Sequence, residues 1–243
     1  MSSYKGKRAY KPKNKSYYGP VAKRANVYGP AAMQLAKDVA YIASLVNSEP
    51  KYFTLEGTNN FTNNGIVLDL SLIPIGDGNN NRDGNSVLPR YLSIRCSMAK
   101  AIPGSLNHNQ CRVMIFRYWG IETDGTPVQP VAADVLATVG SQLSPLTHLN
   151  DNNTGRRGDR ERRIEVLRNE HVCFDNVSNT CTVYDWNIEM NGPSVRNKQH
   201  IKFQSASAQT AISGGIYALF ISDSATATDV DFRISSKLTF YDN

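Results

Sequence analysis

The chain is poor in charge, cysteine and histidine, and it has no long apolar run. No stretch reaches the ~18 apolar residues that a membrane-spanning helix needs, which excludes that kind of span and leaves no membrane insertion to expect. The four cysteines, Cys96, Cys111, Cys173 and Cys181, show no C-x-x-C spacing, and His108, His148, His171 and His200 are scattered. No zinc pattern can be assembled from them, so neither a metal nor a cofactor is expected. All four cysteines sit in or beside apolar runs, and buried free thiols in a reducing compartment are the expectation. G-x-S-x-G, Walker A and H-x-E with C-x-x-C are all missing, so the chain is not expected to be an enzyme. The N-terminus is basic with no apolar stretch behind it, which is not the pattern of a secretory leader. The sequons at Asn60, Asn152 and Asn176 then read as chance in an Asn-rich chain.

What is present is an uneven distribution of charge. Residues 1–30 hold Lys5, Lys7, Arg8, Lys11, Lys13, Lys15, Lys23 and Arg24 and no acidic group. The chain has 27 basic and 21 acidic residues and a net charge of +6, so residues 31–243 keep 19 basic groups against 21 acidic ones, a net of −2. A near-neutral body thus carries an arm of charge +8. Such an arm repels itself and has little to bury, so it is expected to be disordered alone and to bind a polyanion. Tyr4, Tyr10, Tyr17, Tyr18 and Tyr28 are interleaved with its basic residues. Lysine and arginine neutralise phosphates whatever the base sequence, and tyrosine rings offer stacking faces to unpaired bases. Together the thirteen residues point to single-stranded nucleic acid. The clusters Lys5–Arg8 and Lys23-Arg24 also suit a nuclear-import or solubilising tail.

After the arm, Leu35, Val39, Ile42 and Val46 recur at helical spacing between Pro30 and Pro50, which predicts a short amphipathic helix. From Lys51 the pattern becomes that of strands. Candidate runs are Lys51–Leu55, Gly65–Ile73, Arg90–Lys100, Gln110–Trp119, Arg163–Phe174, Cys181–Met190, Gly215–Ser222 and Asp231–Tyr241, with His200–Gln204 as a further short edge strand. Leu92, Ile94 and Cys96 alternate with Tyr91, Ser93 and Arg95, and Phe232 and Ile234 alternate with Arg233 and Ser235. One helical signal interrupts the strands at Pro130–Thr138, where Val131, Val135 and Leu136 share a face. Long turn-rich connections, Pro74–Ser86 above all, join the strands. The expected fold is all-β: a single eight-stranded jelly-roll sandwich over 51–243, preceded by the helix and lead-in at 31–50 and the arm at 1–30.

Several segments, in order, resemble one family. They are Val46-Asn47-Ser48-Glu49-Pro50-Lys51-Tyr52-Phe53 at the entry to the first strand, Asn81-Arg82-Asp83-Gly84-Asn85 before Leu92-Ser93-Ile94-Arg95, and Arg112-Val113-Met114-Ile115-Phe116. Val135-Leu136, Leu143-Ser144-Pro145-Leu146, Arg163-Ile164-Glu165-Val166-Leu167, the run Ile216–Asp223 and the closing run Phe232–Asp242 come next. From about residue 30 onward the chain resembles the capsid proteins of circular, Rep-encoding single-stranded DNA viruses, the circovirus-like group. The resemblance implies a single jelly roll that assembles with itself, about 60 copies making a closed T=1 icosahedral shell. It implies a basic arm inside that shell on a single-stranded DNA genome, and location in the virion and, during assembly, in the host nucleus. Host import receptors and a cell-surface receptor are the further partners it implies. The arm here departs from the family habit in having six Lys, two Arg and five Tyr. The segment Arg156, Arg157, Arg160, Arg162 and Arg163, with Asp159 and Glu161 between, is unusually charged and is a candidate for contacts between subunits or with phosphate. Arg157-Gly158-Asp159 within it resembles integrin-binding loops by three residues only. The alternative reading of the whole is a single-stranded nucleic-acid-binding protein with a basic tail that builds no shell.

Overall fold

Two kinds of strand can be told apart by their burial, and the difference sets the architecture. In β3 (Ser86–Lys100) and β10 (Val230–Asp242) buried and open residues alternate, whereas β4 (Asn109–Tyr118) and β9 (Gly215–Ser222) are buried almost throughout. Alternation marks a sheet packed on one side, and a continuous apolar run marks a strand covered on both. The computed structural model describes residues 50–100, 108–119, 129–140, 142–150, 164–175, 181–190, 200–204, 209–225 and 229–242, with Gln34. The arm at 1–30 and the predicted helix at 31–50 lie outside the described residues, except for Pro50 and for Gln34, which is helical and exposed. All the strands belong to the unit Asn47–Asn243.

The remaining strands are β1 (Lys51–Asn60), β2 (Ile66–Asp69), β5 (Ile164–Phe174), β6 (Cys181–Glu189), β7 (Ile201–Phe203) and β8 (Ala211–Ser213), and a short helix, α1 (Ala132–Val135), lies between β4 and β5. Antiparallel pairs nest inside one another: β4 with β5, β3 with β6, β2 with β9 and β1 with β10. Pairing of β10 with β3 and of β9 with β4 then gathers them into two sheets. One has the order β1-β10-β3, continued by β6 along most of β3 and by β7 and β8 at its start; the other has the order β2-β9-β4-β5. A long hairpin rolled into two facing four-stranded sheets is the jelly roll, so the expected all-β fold is the observed one. Ten strands rather than eight appear among the described residues, because β7 and β8 extend the first sheet. Between the sheets lies the main core, where Phe220 stacks on Phe232 at 4.0 Å between ring centroids and both contact Phe61.

Several expectations change at their edges. β1 runs on to Asn60, past Leu55, because pairing with β10 continues through Gly57 and Asn59 despite their poor strand propensity. β2 stops at Asp69, where its Oδ1 accepts the Ser71 N–H at 2.8 Å and the Ser71 hydroxyl at 2.7 Å and turns the chain. Helix α1 is shorter than Pro130–Thr138, and Val131 is 59% exposed rather than sharing the face of Val135 and Leu136, because it stands in extended backbone before the first turn. Of the four thiols, Cys96 and Cys111 are buried, but Cys173 and Cys181 are exposed: they lie near the end of β5 and at the start of β6, on the outward side of each strand.

Candidate assembly and nucleic-acid surfaces

Lys5, Lys7, Arg8, Lys11, Lys13, Lys15, Lys23, Arg24 and the five arm tyrosines lie outside the described residues, as do Arg156, Arg157, Arg160, Arg162 and Arg163. The described part offers two sheet faces and three buried arginines that pin its loops.

Three arginines sit in the interior, and each donates to backbone carbonyls of a connection. Arg82 is fully buried in the Pro74–Ser86 loop; its Nε donates to the Ile73 carbonyl at 3.3 Å, its Nη1 to the Gly84 carbonyl, and its guanidinium lies 4.0 Å from the Phe203 ring centroid. Next to it the Lys51 ammonium pairs with Asp83 at 2.8 Å and Asp242 at 3.1 Å, and the Asp83 N–H donates to Asp242 Oδ2. Burial opposes the charge on Lys51, but the two carboxylates outweigh it and hold its pKa above the ordinary lysine value. The Asn81–Asn85 motif is therefore a clamp that fixes the loop to the ends of β1 and β10.

Arg112 on β4 donates from Nε to Asn169 Oδ1 at 2.7 Å and from Nη1 to the carbonyls of Pro145 at 3.3 Å and Thr147 at 2.7 Å. It ties the segment 142–150 down onto the second sheet. Arg117, also on β4, donates to the Gly214 carbonyl at 3.3 Å. Gly214 has φ +73, and an added Cβ would come within 2.7 Å of the His200 carbonyl and 3.1 Å of Arg117, so glycine is required there. Burial pushes the Arg117 guanidinium down to about 10, against the field of Glu165, and lowers Arg82 and Arg112 as well.

The outer face of the second sheet is covered by its own chain. Met114, Phe116, Tyr118, Tyr217, Leu219 and Ile221 pack beneath Ala132, Val135 and Leu136, with Leu143 and Leu149 alongside. Beneath that cover Asp69 lies opposite Tyr217, and both are buried. Burial pushes the Asp69 carboxyl up to about 6, although the Ser71 hydroxyl and N–H pull it down.

Among the described residues nothing covers the outer face of the first sheet. The register places its outward side chains in rows running from β1 through β10 and β3 to β6: Tyr52, Thr239, Tyr91, Glu189; then Thr54, Lys237, Ser93, Asn187; then Glu56, Ser235, Arg95, Asp185; then Thr58, Arg233, Ser97, Val183. Tyr52 is 43% exposed and Tyr91 49%. Lys237 Nζ stands 4.6 Å from the Tyr52 ring centroid, the Tyr91 hydroxyl donates to Glu189 at 2.8 Å, and Arg95 pairs with Asp185 at 2.7 Å. The alternation around Arg95 and Arg233 is legible in the sequence; that both residues stand on adjacent strands of one open face is not, since β3 and β10 lie far apart in the chain.

Neither a family model nor a curated protein matches this chain. Among solved structures it is similar to that of Desmodium yellow mottle tymovirus, at 9% identity over 81% of this chain and 90% of that chain, with a TM-score of 0.35. It is also similar to the structure of Broad bean stain virus, at 10% identity over 76% of this chain and 84% of that chain (TM-score 0.33). A third similarity is to the VP2 subviral particle of infectious bursal disease virus, at 9% identity over 81% of this chain and 34% of that chain (TM-score 0.25). The strand order itself makes the fold a jelly roll.

Proposed function

We propose that this protein is the coat subunit of a virus particle, in which the jelly-roll bodies assemble with one another and the basic arm holds nucleic acid within. The observation that carries this reading is the combination of a jelly-roll strand order in a near-neutral body with an arm of charge +8. Bodies that repel one another little can meet face to face, and the cations are set apart for a polyanion. The finer reading, taken from the family resemblance, is a shell of about 60 copies with closed symmetry. Around a single-stranded DNA genome it is built in the host nucleus, with Lys5–Arg8 and Lys23-Arg24 as import signals. The protein acts by assembly and binding, not by catalysis.

The test is expression of the full chain and of a chain lacking residues 1–30, with particle size and nuclease-protected nucleic acid as readouts. The full chain should sediment as a large particle containing nucleic acid, and the shortened chain as an empty one. A stable monomer that binds single strands would replace the coat reading with that of a tailed single-strand-binding protein. Shortened chains that still package a full complement would transfer packaging to the body.

A further inference from the structure

The two central strands of this face carry three cations, and of its acids only Asp231 stands on a central strand, at the end of β10, the others lying on the flanking strands. On β10 and β3 the outward groups are Arg233, Lys237 and Arg95, separated by Ser235, Ser93, Ser97 and Thr239. Glu56 lies on the outer strand β1, Asp185 and Glu189 on the outer strand β6, and Asp231 one row beyond Arg233. Arg95 lies directly opposite Ser235, which makes Lys237 and Arg233 its diagonal neighbours, at about 7–8 Å each. The three cations thus form a zigzag down the middle of the sheet. At one end stands the row Tyr52, Thr239, Tyr91, with two half-exposed rings.

We infer that this strip is a second binding surface for single-stranded nucleic acid, separate from the arm, with Arg233, Lys237 and Arg95 on phosphates and Tyr91 and Tyr52 under bases. The inference rests on the reading that the chain binds single strands. The seven charged groups sum to −1 and Arg95 is paired with Asp185, so a single strand is held only where its phosphates come into contact with Arg233, Lys237 and Arg95 along β10 and β3, away from the flanking acids. Exposed rings at the end of a cationic track are the combination that tracks a single strand, because bases in a duplex are already stacked. A second protein copy fits this face less well. The centre of a protein interface is depleted in charge, and here the centre holds the charges while Val183, the most exposed apolar residue of the face, stands at its edge.

The experiment uses the full chain and a labelled oligo-dT of about 20 nucleotides, longer than the strip can hold. Arg233→Gln with Lys237→Gln should lower the slope of log affinity against log salt by about 1.4, at about 0.7 per lost phosphate contact. Tyr91→Ala should weaken binding about fivefold or more, the low end for one base stack, while Tyr91→Phe keeps the ring and should keep the affinity. Ultraviolet cross-links should map to peptides holding Tyr52 or Tyr91 as well as to the arm. Cross-links confined to residues 1–30 with an unchanged slope would overturn the inference and leave the coat reading standing. Loss of particle assembly with an unchanged slope would make the face a contact between copies, also against the inference. An unaltered chain that does not bind oligo-dT would overturn both.

Discussion

The two outer faces of the sandwich are finished in opposite ways. The second sheet hides its outer face beneath α1 and the segment 142–150, and so puts Tyr217, Phe116 and even Asp69 out of water. The outer face of the first sheet is uncovered among the described residues and is lined with hydroxyls, charges of both signs and two tyrosines. The difference appears in the strands themselves: β9 is apolar along nearly its whole length, and β10 alternates. A face built to be covered is held by buried contacts and should be sensitive to single substitutions. A face built to stay open contributes little to folding, and substitutions there should alter binding alone.

The largest expected effect is at the pin of the cover. Arg112→Met removes the donors to Asn169, Pro145 and Thr147, and two backbone carbonyls and an amide oxygen lose their partner. The cost should be about 3 kcal/mol, since buried acceptors left unpaired are expensive and these bonds are charge-assisted. Chemical denaturation measures it, and limited proteolysis should find new cleavage between residues 142 and 150. If stability is kept and the cover stays protected, the apolar packing alone holds it.

Asp69 under the same cover gives an effect that depends on pH. Its carboxyl is raised from 3.8 to about 6 in the folded chain, so the fold favours the protonated form. Stability from this group is complete below pH 3.8 and is lost as pH rises through 6. A shift of this size corresponds to about 3 kcal/mol. Asp69→Asn keeps an oxygen for the two Ser71 bonds and removes the titration. Denaturation midpoints of both proteins from pH 4 to pH 7 should therefore diverge in favour of the variant, increasingly so up to pH 7. Parallel curves would mean that the carboxyl keeps its ordinary pKa and that the cover admits water.

These two residues also show what a sequence can and cannot reveal. The strands are legible because alternation at Leu92–Cys96 and Phe232–Ser235 and the apolar run at Ile216–Ile221 are local patterns. The order of motifs around Asn81–Asn85 and Arg112 is legible too, but not the work of those arginines. Arg82 and Arg112 look like surface cations in the sequence; Arg82 is held by its own loop and the Phe203 ring of β7, and Arg112 by the segment 142–150. The ends of β1 and β2 escape a local reading for related reasons: pairing with β10 overrides Gly57 and Asn59, and a side chain two residues back overrides the apolar run after Asp69. Cys173 and Cys181 lie in apolar surroundings along the chain, but both strands hold them on the outward side, which only the register decides.

The smallest expected effect is on the open face, at Arg95. Its pair with Asp185 is close, at 2.7 Å, but both side chains are mostly in solvent, at 73% and 50% exposure. Water and salt screen such a pair, and the entropy lost in holding two long side chains offsets much of what attraction remains. Arg95→Ala should leave the melting temperature unchanged within error at about 0.15 M salt. The same substitution should lower the salt slope of oligo-dT binding by about 0.7, because a phosphate contact depends on the cation whether or not folding does. A melting temperature that falls by several degrees would show that the charge pattern of the bare face holds the sheet together, and would remove the contrast between the two faces. An unchanged melting temperature with a reduced slope would sharpen it: one face folds the chain, and the other is free to meet a partner.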